Sequence, residues 1–108
     1  MAVAEPNWTG NGADWPEPGH IYRDPVAGAV VLVLTAPRWP GVLRCGGAAM
    51  VAAPPLPCRY HSRPGFGTVL WPGRRYRDLA SGLEVRCLRA GGRRLTYAGQ
   101  TLVAVPGS

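Results

Sequence analysis

The residues best suited to covalent chemistry in this sequence are Cys58 and His61, in the run Cys58-Arg59-Tyr60-His61. Cys-x-x-His spacing can set an imidazole beside a thiol, and the imidazole can take the thiol proton to leave a nucleophilic thiolate. No third residue nearby supplies the group that would orient the pair. Together with Cys45, the same two side chains form a zinc-ligand set, which Cys87 would complete. Structural zinc sites usually pair two tight doublets, and only one is present, so no metal is expected. Cys87 falls at an apolar position of a strand pattern and is expected to be a small core residue.

A second group of chemically capable residues occurs twice, as Tyr22-Arg23-Asp24 and Tyr76-Arg77-Asp78. Each Asp opens a turn, where its carboxylate can accept backbone N–H groups. Such a capping bond is worth about 1 kcal/mol, and that is the expected role of both. In the functional alternative, Arg23 and Arg77, with Tyr22, Tyr76 and Trp71, line an anion site shared by the two copies. Asp24 and Asp78 would then join Cys58 and His61 as catalytic candidates. A third pattern interleaves Arg59, Arg63, Arg74, Arg75 and Arg77 with Tyr60, Phe66, Trp71 and Tyr76. Basic and aromatic residues in alternation can bind single-stranded nucleic acid. Arginine stems that cover aromatic rings give the same pattern, and no RNA-binding motif is present, so nucleic acid is not the expected partner. No Gly-rich phosphate loop precedes a helix.

The elements that position these residues follow from an internal repeat. Tyr76-Arg77-Asp78 follows Tyr22-Arg23-Asp24 by fifty-four positions, as do Gly82 after Gly28, Val85 after Val31 and Leu88 after Leu34. After a two-residue deletion, Leu43, Gly47, Val51, Ala52 and Pro54 match Leu95, Gly99, Val103, Ala104 and Pro106. Thirteen of thirty-four aligned positions are identical, which points to a tandem duplication. The apolar run Ala29 to Leu34 predicts a buried strand, and Leu83 to Leu88 a strand with one solvated face. Short strands are expected at 20–22, 42–45, 50–52, 94–97 and 101–105, with a further candidate at 68–71. Gly46-Gly47 and Ala98-Gly99 are expected as tight turns, and 90–93 as a hairpin turn. No stretch carries a helical period. The expected organisation is a flexible tail over 1–18, a first β repeat over 19–54, a Pro-rich connector over 55–72 and a second β repeat over 73–108. The fold expected is all-β, one small domain with an approximate two-fold axis between the repeats.

Composition sets wider bounds. The chain has 108 residues, enough for one small core, and a net charge of +6 carried by arginine alone. That charge favours anionic partners. With 15 Gly and 12 Pro, the elements must be short and the turns many. An odd count of 3 Cys argues against a disulfide framework. No apolar leader and no run long enough to span a bilayer is seen, so a cytoplasmic protein with free thiols is expected, with no membrane partner.

The first repeat resembles desulforedoxin and the N-terminal domain of desulfoferrodoxin. The resemblance rests on Gly19-x-Ile21-Tyr22-Arg23, Gly28-x-Val30-Val31-x-Val33-Leu34, and Leu43-x-Cys45-x-Gly47-x-x-Met50-Val51. It covers residues 19–52, and in a looser form 73–104. Those domains are small β folds that hold one iron through four thiolates, and two fused copies would resemble the desulforedoxin homodimer. The resemblance places the four ligands at Asp24, Ala27, Cys45 and Gly46, and in the second copy at Asp78, Ser81, Tyr97 and Ala98. One thiol out of eight cannot make an iron–tetrathiolate centre. The fold therefore carries over and the metal does not, so no cofactor is expected. The leading expectation is a metal-free binding or accessory module acting on a partner protein or an anionic small molecule. The alternative is a small cofactor-independent enzyme of a specialised biosynthetic pathway, with a cleft lined by Arg, His and aromatic residues.

Overall fold

The computed structural model describes residues 15–53 and 67–106. Ten short strands build two antiparallel sheets, and the described residues include no helix. β1 (Ile21–Arg23), β2 (Val30–Thr35), β5 (Val51–Ala53), β6 (Arg75–Arg77), β7 (Glu84–Arg89) and β10 (Val103–Ala104) form a six-stranded sheet in the order β10-β6-β7-β2-β1-β5. β3 (Leu43–Cys45), β4 (Ala48–Ala49), β8 (Leu95–Tyr97) and β9 (Gln100–Thr101) form the second, in the order β4-β3-β8-β9. The middle of each sheet is a pair that joins the two halves of the chain, β2 with β7 and β3 with β8.

Local hydrogen bonds recur between the halves. Gly19 N–H donates to Val33 O at 2.8 Å, and Gly73 N–H to Cys87 O at 2.8 Å. Asp24 N–H reaches Ala29 O at 2.7 Å, and Asp78 N–H reaches Leu83 O at 2.8 Å. Met50 N–H bonds Leu43 O at 2.9 Å, and Leu102 N–H bonds Leu95 O at 3.0 Å. The turn glycines recur as well, with Gly28 at φ 88 and Gly82 at φ 83, a region that L side chains rarely adopt.

Alternation along the strands decides which side chains meet. Tyr22, Val31, Val33, Tyr76, Val85 and Cys87 point inward from the large sheet. Leu43, Cys45, Leu95 and Tyr97 point inward from the small one, and all ten belong to one buried cluster. Fully burying one such side chain contributes about 1.5–3 kcal/mol, so both sheets depend on each other for stability. The β2–β7 ladder shifts register between Val30 and Val31 and again between Val33 and Thr35. Such bulges bend the strands and sharpen the local twist.

Three local expectations change. The strands expected at 50–52 and 101–105 break at Met50 and Leu102, both buried, where the chain passes from the small sheet to the large one. Period-two alternation cannot reveal such a break, because the side chains keep alternating across it. Residues 90–93 do not form a hairpin turn, because β7 and β8 lie in different sheets. Gly91 instead makes an isolated bridge with Leu70, which is all the pairing that remains of the strand considered at 68–71. A side chain at 91 would sit 2.7 Å from Ala29 Cβ, which explains the glycine there. No helix among the described residues is long and apolar enough to cross a membrane.

Candidate functional site

Cys58, His61 and the rest of the run 54–66 lie outside the described residues, as does the tail 1–14. Within 15–18, Pro16 is buried and His20 N–H closes a turn onto Glu17 O at 3.1 Å. The remaining candidates fall into three places.

The first is the turn after β1. Asp24 is 1% exposed, and its Oδ1 accepts the Val26 N–H at 2.9 Å. Arg93, which enters from the loop between β7 and β8, brings Nη2 within 3.6 Å of the same oxygen. Asp24 Oδ2 and the Arg93 Nε and Nη2 atoms are buried and make no hydrogen bond. Cys45 lies against this pair, its thiol donating to Arg93 O at 3.7 Å. Burial first, and the neighbouring Asp24 carboxylate second, push the Cys45 thiol from 9.0 up to about 12. A thiol so hard to ionise is a poor nucleophile near neutral pH. Burial raises the Cys87 thiol to about 11 as well. Both thiols are free and buried.

The second place is the matching turn after β6. Asp78, 2% exposed, accepts three bonds: from Ala80 N–H at 3.3 Å, Ser81 N–H at 3.2 Å and Ser81 Oγ at 2.6 Å. The Ser81 hydroxyl in turn accepts the Leu83 N–H at 3.3 Å. Tyr97, at the position of Cys45, donates its hydroxyl to Trp39 O at 2.6 Å, a contact between the halves. Arg38 crosses in the opposite direction, its backbone N–H donating to Ser81 O at 2.8 Å.

These geometries decide whether a metal fits. The positions that the resemblance assigns to ligands carry one thiol, and that thiol lies beside an arginine. Among the described residues no group of three or more His, Cys, Asp or Glu side chains could hold a metal ion. An iron–tetrathiolate centre does not fit these residues.

The third place gathers the expected ligand-binding residues, and only some of them come together. Arg23 and Arg77 are exposed on the outer face of the large sheet. Strands β2 and β7 lie between theirs, which sets about 14 Å across the sheet between them. Arg23 pairs with Val30 at one end of β2, whereas Arg77 pairs with Glu84, opposite Thr35 at the other end. A single small anion cannot bridge them. Tyr22 is buried in the core. Tyr76 is also largely buried, its hydroxyl accepting the Trp71 N–H at 2.9 Å and donating to Val69 O at 3.4 Å. That holds the 69–71 segment beside β6 and leaves Trp71 42% exposed. Next to it runs a groove of about 310 Å³ lined by Val69, Leu70, Tyr76, Leu102, Val103 and Arg94. The groove follows the chain from β9 to β10, and each of these strands ends its sheet. No pattern of residue types marks it, because its walls come from the connector, β6 and the passage between the two sheets.

No family model, curated protein or solved structure matches this chain.

Proposed function

We propose that this protein is a metal-free β binding module, two fused desulforedoxin-like units without their iron ligands, that docks an extended segment of a partner protein. The hydrogen bonds that recur between the halves support the fused-unit reading. The observation that carries the binding reading is the groove beside β10. Val69 and Val103 stand 39% and 43% exposed along it, and both residues of β10 are exposed. Among the described residues β10 pairs with β6 alone, so its outer side can accept the backbone of an added strand. An apolar side chain of that strand fills the groove, and Arg94 favours an acidic residue next to it. An anionic apolar small molecule satisfies the same chemistry. The buried Asp24, Asp78, Cys45 and Cys87 serve the fold in this reading.

Peptide display on the immobilised protein tests it. Selection is expected to enrich sequences with alternating apolar residues and at least one Asp or Glu. Val103→Asp should abolish that enrichment, and Arg94→Gln should remove the acidic preference, while both variants keep the parent melting temperature within a few degrees. Enrichment unchanged by Val103→Asp would refute the docking site.

A further inference from the structure

The misfit between the first turn and a metal has a specific physical basis. Gly46 is at φ 60, and a Cβ built there would come within 2.7 Å of Arg93 Cζ and 2.5 Å of Arg93 Cδ. A side chain at 46 would meet the guanidinium where it now lies, so Arg93 would have to move aside to admit one. Ala98, at the corresponding place in the second half, carries its side chain at a similar φ of 50, a strained conformation for an L residue. The positive φ and the place taken by Arg93 both favour a bare position 46. In the second half the exchange runs the other way. The position that corresponds to Arg93 is Gly41, whose absent Cβ leaves room for Ala98 and the Tyr97 ring, the nearest atoms at 3.0 and 3.1 Å. One site is closed by a small Cys45 and a long Arg93, the other by a large Tyr97 and a bare Gly41.

Charge agrees with shape. The Asp24 side chain is wholly buried, and a buried carboxylate needs a cation or several donors. Asp78 has its three donors, whereas Asp24 has one together with Arg93. The Arg93 Nε and Nη2 atoms make no hydrogen bond, so the guanidinium is held by its charge and by the space it fills.

We infer that Arg93 is the cation of this site: it takes the space and the charge that a metal ion among positions 24, 27, 45 and 46 would take, and so fastens the second half of the chain to the first. Arg93 thereby makes the first site specific for an internal guanidinium and closed to metal.

The test restores the thiols in two backgrounds. Asp24→Cys, Ala27→Cys and Gly46→Cys join the native Cys45, once with Arg93 retained and once with Arg93→Gly. Cobalt(II) is titrated under reducing, oxygen-free conditions and thiolate-to-cobalt charge-transfer absorption is read. Binding is expected to be tighter by about ten-fold or more in the Arg93→Gly background. Equal affinity in both backgrounds would overturn the inference. A second measurement covers the case in which the cysteine variants do not fold. In the otherwise native chain, Arg93→Gly should melt several degrees lower, and millimolar methylguanidinium should restore much of the loss, while sodium chloride at equal ionic strength does not. Absence of rescue, with additive effects of Asp24→Asn and Arg93→Met in a double-mutant cycle, would likewise overturn it.

Discussion

Replacing Asp78 by alanine is expected to cost far more than replacing Asp24, although the two residues occupy the same place in a repeated motif. Asp78 accepts from Ala80 N–H, Ser81 N–H and Ser81 Oγ, at 3.3, 3.2 and 2.6 Å. Each lost bond costs about 1 kcal/mol net. Ser81 is 0% exposed, so its hydroxyl proton would be left buried without an acceptor, a further cost of about 1 kcal/mol or more. The sum for Asp78→Ala is about 3–4 kcal/mol. Asp24→Ala removes one bond, to Val26 N–H, and the contact with Arg93. The Arg93 side chain is 34% exposed and can turn toward water, so the cost there is about 1–2 kcal/mol. Asp78→Asn keeps an acceptor oxygen and should fall between the two. Urea unfolding followed by tryptophan fluorescence measures these differences as shifts in midpoint at constant slope. If Asp24→Ala proves as costly as Asp78→Ala, the reasoning from the bonds made by each carboxylate is wrong.

Three further outcomes follow from the same geometry. Cys45 and Cys87 hold their protons up to about pH 12 and pH 11 in the folded protein, against 9.0 ordinarily. The unfolded chain releases those protons first, so stability should be constant below about pH 9 and decline steadily above it, and Cys45→Ala should flatten the decline between pH 9 and 11 in urea titrations. Gly91→Ala should destabilise by about 1–3 kcal/mol, because the added methyl meets Ala29 Cβ at 2.7 Å, whereas Ala98→Gly should stabilise slightly by relieving a φ of 50, both read as shifts in melting temperature. A chain ending at Pro54 should show no cooperative thermal transition, because it lacks β7 and β8 and leaves Val31, Val33 and Leu43 uncovered.

The two long strands are legible as runs of apolar residues bounded by turn residues, whereas the run at 68–71 makes only a single bridge. The run at Ala29 to Leu34 and its counterpart at Leu83 to Leu88 both pair, and they pair with each other. The repeated Asp was legible as a turn cap because its partners lie two or three residues away. Arg93 was not. Its partner Asp24 belongs to the other half of the chain, and at the corresponding place the first half has Gly41, so no local pattern and no internal match points to the pair. The groove beside β10 was hidden for a related reason. Leu102 appears in sequence as one residue of a continuous strand, yet it marks the passage between sheets and lines the groove. Long-range closure of this kind is decided by which strands become neighbours, and short-range periodicity does not carry that information.

In the reading proposed above, the two halves close each other's cores with side chains, Arg93 against Asp24 and Tyr97 against Trp39, and need no metal to do so. Thermal unfolding of the purified chain before and after exhaustive treatment with a strong chelator, alongside elemental analysis, tests it most directly. Identical melting curves, no absorption in the visible range and no stoichiometric iron or zinc are expected. A melting temperature that falls on chelation and recovers with one equivalent of metal would contradict it.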